Sequence, residues 1–101
     1  MKLREIAHAR SGDKGNTSTV CIFAYKQEDY GVLHKNLTPE NVKKHFGELV
    51  RGTVTRYEIP SLWGLNFVMT DALAGGVTHS LNIDIHGKNY GQLLLMMDIN
   101  K

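Results

Sequence analysis

Two apolar stretches near the N-terminus bracket a polar one. Leu3 to Ala9 alternates, with Ile6 and His8 on one side and Ala7 and Ala9 on the other, and this period predicts a strand. Val20 to Tyr25 is apolar at nearly every position, including Cys21, Ile22 and Phe23, which predicts a strand buried on both faces. Arg10 to Ser18, lying between them, reads as a loop.

Thr38 opens the clearest helix. A threonine side chain accepts from the backbone at an N-cap, proline suits the first helical position, and Leu37 can staple onto Val42. Val42, Phe46, Leu49 and Val50 follow at helical spacing, and Gly52 is placed to end the helix. Gln27 to Lys35 reads as a short helical turn weakened by Gly31. Thr53 to Ile59 alternates, is rich in β-branched residues and predicts a strand stopped by Pro60.

Leu65 to Leu73 fits both periods. Leu65, Phe67 and Met69 alternate, whereas Leu65, Val68, Met69 and Ala72 keep helical spacing. Val77, His79, Leu81, Ile83 and Ile85 alternate with polar residues and predict the best strand of the chain. Tyr90, Leu93, Leu94 and Met97 fit a second helix face, with a strand over Leu93 to Ile99 as the alternative. Strands and helices are mixed without the regular alternation of a doubly wound sheet. The fold class predicted is α+β, a ferredoxin-like sandwich with a mainly antiparallel sheet and helices on one face.

Composition narrows the classes of function. The 101 residues suit one domain with one core, and 42% hydrophobic with 22% charged residues is ordinary for a soluble globule. The formal net charge is only +2, and Lys43-Lys44 is the longest basic run, which argues against a nucleic-acid partner. Cys21 is the only cysteine, so no internal disulfide forms. Arg4 and Glu5 interrupt the first apolar residues, so no signal peptide is read there. The longest apolar run, Leu93 to Met97, is too short for a membrane span. A cytoplasmic protein with no membrane or nucleic-acid partner is expected.

The chemistry concentrates in the polar stretch. Gly12 and Gly15 permit positive φ and expose backbone N–H groups, which in succession form a concave anion site. Arg10 and Lys14 add cations, Ser11, Thr17 and Ser18 add hydroxyls, and Asp13 and Asn16 add polar groups of the kind that bond to their own backbone in turns. A binding loop and a plain hairpin turn both account for these residues. A phosphate-binding P-loop does not, because Lys14 precedes Gly15 and a strand follows. Gly75-Gly76 reads as a loop that needs positive φ or as a second close-approach point, and Asn66 is an amide in an apolar stretch that bonds to backbone or orients a ligand. His8, His34, His45, His79 and His86 are scattered without metal-ligand spacing, so neither a metal nor a cofactor is expected. Cys21 reads as a packing residue, and Ser11 has no identifiable base. The Trp63-Gly64 stretch after Pro60 reads as an exposed loop or contact surface.

Ala9 to Thr17 resembles the signature of the C-terminal domain of acyclic terpene utilisation (AtuA-type) proteins. Leu37-Thr38-Pro39-Glu40 with Val42, Tyr57-Glu58-Ile59-Pro60, Leu65-Asn66-Phe67, Ala72-Leu73-Ala74-Gly75-Gly76 and Gly87-Lys88 match in order, so the resemblance spans almost the whole chain. It implies a ferredoxin-like domain that elsewhere follows a much larger domain, in proteins associated with catabolism of branched terpenoid acyl chains. It supplies no catalytic residue. Asn16 stands where the family often has aspartate, which removes a charge on which an acid–base or metal role would rest.

Two readings follow. In the first, residues 1–101 form a non-catalytic accessory domain or small subunit that docks on an AtuA-type large partner. In the second, the chain binds a small carboxylate or acyl-CoA, with or without catalysis. The residues expected to bind ligand or partner are Arg10, Ser11, Gly12, Asp13, Lys14, Gly15, Asn16, Thr17, Asn66, Gly75 and Gly76. A homo-oligomer paired through the sheet is also expected.

Overall fold

A computed structural model describes residues 1–14, 16–72 and 87–100. Strands β1 (Ala7–Lys14) and β2 (Thr17–Ala24) form an antiparallel hairpin paired from Ala7 opposite Ala24 to Lys14 opposite Thr17. Strand β2 also pairs with β4 (Gly64–Met69), and β4 pairs with β3 (Val54–Ile59). Among the described residues the result is a 4-stranded antiparallel sheet in the order β1-β2-β4-β3.

Strict alternation organises β2. Ser18, Val20, Ile22 and Ala24 are buried, whereas Thr17, Thr19, Cys21 and Phe23 are half-buried on the opposite face. The expectation of burial on both faces is therefore corrected: only one face is fully covered. Threonine, cysteine and phenylalanine belong equally well on a partly open β face, so the apolar run overstated burial.

Helices α1 (Gln27–Asn36), α2 (Pro39–Phe46) and α3 (Gly87–Leu95) contribute to the core on the covered face. Leu33, Leu37, Val42, Phe46, Tyr90 and Leu94 pack in one cluster with Val20, Ile22, Leu65, Phe67 and Met69. Thr38 Oγ1 accepts from the Asn41 N–H at 3.1 Å and Pro39 occupies the first turn, as the sequence predicts. The helix ends earlier than expected, at Gly47 with φ 59°, rather than at Gly52. Gly52 serves another purpose, since a Cβ there would run into the side chain and carbonyl of Thr70.

Helix α1 is longer than the turn expected around Gly31. Arg56 of β3 explains part of this, donating from Nη1 to the carbonyls of His34 (2.9 Å) and Leu37 (3.0 Å). A cation supplied from the sheet satisfies carbonyls that a helix end leaves unpaired. Buried Leu33 adds packing, which outweighs the roughly 1 kcal/mol cost of a helical glycine.

The two ambiguous segments resolve in opposite senses. Leu65, Phe67 and Met69 are fully buried by strand alternation, so 64–69 is β4. The segment around Tyr90 is helix α3. The Tyr90 ring stacks on Phe46 with centroids 5.3 Å apart, and its hydroxyl reaches the carbonyls of Leu49 and Ala72.

The N-terminal strand begins late. Leu3–Glu5 form a 3-10 turn and pairing starts at Ala7. Leu3 is fully buried and its N–H donates to the Met97 carbonyl. The chain ends are tied together: the N-terminal amine and the Ile99 N–H donate to the carbonyls of Ile99 and Met1, respectively. Joined at these ends and read from β2, the described elements run strand, helices, strand, strand, helix, strand. That is the ferredoxin-like plan, with β1 beside β2 supplying its last strand. The strand expected over Val77 to Ile85 lies outside the described residues.

Candidate functional site on the open sheet face

The face of the sheet opposite the helices is built in rows by the strand register. One row crosses all four described strands, running Arg10, Cys21, Asn66, Tyr57. Arg10 and Asn66 thus share a face with only Cys21 between them, about 10 Å apart at two strand spacings. The Cys21 thiol donates to Asn66 Oδ1 at 3.4 Å. Burial pushes the Cys21 thiol pKa up, and the neighbouring Arg10 charge pulls it partly back. This thiol contact replaces the backbone contact expected for Asn66. Cys21 itself is half-exposed to this face rather than sealed in the core.

A second row runs His8, Phe23, Gly64, Ile59. The Phe23 ring lies where a Cβ on Gly64 would stand, so the missing side chain lets the ring settle on the sheet. The His8 ring packs against Phe23 at 5.5 Å and against Tyr25 at 5.2 Å. Leu62 and Trp63, in the turn joining β3 to β4, lie at the same end, where the Ala24 N–H donates to the Trp63 carbonyl. Tyr25 and Leu62 are 58% and 59% exposed at this end, and Tyr57 in the Arg10 row is 55% exposed, so this part of the face is apolar and open. On the far side of the Arg10 row, Gly12, Thr19, Val68 and Thr55 form a third, smaller-featured row.

The expected binding loop is corrected to strand. Arg10 through Lys14 belong to β1 and Thr17 to β2. Ser11 turns to the helix side, where its Oγ accepts from the Gly91 N–H at 2.7 Å. Gly12 sits in the strand without a positive φ, contrary to the freedom expected of it. The Asn16 carbonyl accepts from the Ala72 N–H at 2.8 Å, tying the hairpin tip to the exit of β4. Ser18 is buried, with its hydroxyl donating to the Gly12 carbonyl at 3.4 Å. Glycine, serine and aspartate suggested a loop because they disfavour strands. Here one face of the strand is open and the other meets a close helix, and both settings accept such residues. The roles expected of the Asp13 and Lys14 side chains fall outside what is described, as do Gly15, Gly75 and Gly76.

Sequence reasoning missed His8, Phe23, Tyr25 and Tyr57 as a group. Each is visible as an aromatic residue, but only the register places them on one face. A polar cleft of about 350 Å³ lies elsewhere, beside Asn36, Asn41, Lys44, His45 and Asp98. Its amides are spent within the fold: Asn36 Nδ2 donates to the carbonyls of Val32 and Asn100, and Asn41 Nδ2 to that of Asn36. Among the described residues no group of histidine, cysteine and carboxylate side chains is placed to hold a metal, and no helix is long and apolar enough to cross a membrane.

The open face therefore offers a cation, an amide, a thiol, a phenol and an aromatic margin, a set suited to recognition. No curated protein and no solved structure matches the chain. A family model does, over residues 1–100, in agreement with the sheet order and with the resemblance read from the sequence: the chain belongs to the AtuA ferredoxin-like domain family.

Proposed function

We propose that this chain is an accessory domain that docks on an AtuA-type large partner acting in acyl-chain or terpenoid catabolism. The observation that carries this reading is the open sheet face, where Arg10 and Asn66 share a row beside exposed aromatics while the described helices pack behind. Exposed apolar surface grouped around a few polar anchors is the composition of an interaction surface. The test is binding of the purified chain to a purified large AtuA-type chain by calorimetry and co-elution. A stable complex supports the reading, and two proteins that migrate independently at micromolar concentration refute it.

A second reading is favoured by the same guanidinium. Among the described residues the strand positions of this face carry Arg10 and Lys14 with no carboxylate, so a small carboxylate or acyl-CoA would meet cations free of a competing anion there. Calorimetry of the chain alone against acyl-CoA distinguishes this from docking, because only the second reading predicts heat without a partner protein.

A further inference from the structure

We infer that the docking surface is the open face between the Arg10 row and the aromatic end, and that its occupant is a protein surface presenting apolar side chains around a carboxylate that pairs with Arg10. The inference rests on the docking reading above and specifies where and by what chemistry the partner is held. Two observations select the occupant.

The first is apolar exposure. Tyr25, Tyr57, Leu62 and Trp63 are among the few large apolar residues of the described chain that remain exposed. Tyr57 stands in the Arg10 row, and the other three lie at the end of the sheet where β2 meets the β3–β4 turn. Tyrosine and tryptophan give large contact area with little side-chain entropy to lose, and in interfaces they concentrate binding energy. His8 packs against both Tyr25 and Phe23, and the Phe23 ring lies over Gly64, so the patch has a fixed floor rather than loose side chains.

The second is charge. Among the described residues, the strand positions on this face hold the cations Arg10 and Lys14 and the histidine His8 but neither aspartate nor glutamate. A second copy docked face to face would bury Arg10 with no anion of the same surface to meet it, at the cost that an uncompensated buried charge carries. A partner of opposite character removes that cost, and a charge-assisted contact to guanidinium adds orientation. Sequence-specific pairing of unlike surfaces, rather than self-association, is what the face is built for.

The test measures affinity of the full chain for a large AtuA-type chain, using variants that leave the covered face intact. Tyr57→Ala and Arg10→Glu each weaken binding at least tenfold, while Glu48→Ala on the helix side binds as the unmodified protein does. Raising the salt concentration weakens the unmodified complex more than that of Arg10→Gln, because the screened ion pair is absent in the variant. Thermal unfolding of each variant confirms that the fold is retained. Unchanged affinity in the folded Tyr57 and Arg10 variants overturns this surface while leaving docking itself standing. Failure of the unmodified chain to bind overturns docking altogether. Concentration-dependent dimerisation of the chain alone that Tyr57→Ala abolishes overturns the choice of occupant.

Discussion

The two faces of the β1–β2 hairpin are made from alternate residues of one short sequence, yet they obey different rules. On the covered face, Ser11 accepts from the backbone of α3, Ser18 is fully buried, and Val20 and Ile22 are sealed in the core. On the open face, Arg10, Cys21 and Phe23 keep partial or full exposure, and the Cys21 thiol meets the Asn66 side chain rather than helix backbone. The covered face is therefore constrained by volume, the open one by chemistry. Residues that looked equivalent as members of one glycine- and serine-rich stretch fall into two classes because a strand sends neighbours to opposite sides.

The largest expected contrast lies in the core. Tyr90 is fully buried, stacked on Phe46, with its hydroxyl directed at the Leu49 and Ala72 carbonyls. Tyr90→Ala removes the ring and strips two carbonyls of their donor, at a cost of roughly 3–5 kcal/mol, much of the stability of a domain this size. Denaturant unfolding checks this. Tyr57→Ala on the open face is the counterpart, with an expected change within about 0.5 kcal/mol. Similar losses at both positions would erase the distinction between the faces.

A finer contrast uses two glycines. A Cβ on Gly91 of α3 would strike Ser11 Oγ and stand 3.1 Å from Ala9 Cβ, whereas one on Gly12 would meet only Thr19 Oγ1 at 3.3 Å. Gly91→Ala gains about 1 kcal/mol of helix propensity but suffers overpacking of about 1–3 kcal/mol, so a net loss is expected. Gly12→Ala should stay within about 0.5 kcal/mol. Adding Ser11→Ala to Gly91→Ala removes one of the two contacts and should recover part of the loss in the same unfolding experiment. Because Ser11→Ala alone also removes the hydrogen bond from the Gly91 N–H, the comparison is a double-mutant cycle, and losses that simply add would show that the helix does not press on Ser11.

The legible and illegible parts of this protein divide along similar lines. Thr38, Pro39 and Pro60 act through their own backbone and side-chain geometry, so the start of α2 and the end of β3 were readable from local chemistry. The α+β class followed from the mixture of periods. Helix α1 was underestimated because Arg56, distant in sequence, completes its C-terminal end. Gly52 reads as the helix stop because glycine punctuates helices, yet it is Gly47 that has the positive φ, while Gly52 makes room for Thr70. The candidate site was half readable. Arg10 and Asn66 were named, but as parts of separate loop and strand features. Their shared row depends on β2 pairing with β1 on one side and β4 on the other, and strand order is a non-local property that no short motif encodes.

The smallest effect expected is also the most local, and it tests whether the Arg10 row is assembled as described. Burial raises the Cys21 thiol pKa above its ordinary value, while Arg10 opposes the rise. Alkylation rate against pH should therefore show a midpoint on the alkaline side of a free thiol, because thiolate is the reacting form. Arg10→Gln removes the charge that favours thiolate and should move the midpoint further up, with stability at neutral pH nearly unchanged. The sign carries over to folding. With the folded pKa raised, the unfolded chain releases this proton first, so the thiol's contribution to stability is complete below the ordinary thiol pKa and fades as pH climbs through the raised value. A midpoint that Arg10→Gln leaves in place would mean that the guanidinium does not reach Cys21. The row would then lack the charged end on which both docking and anion recognition depend.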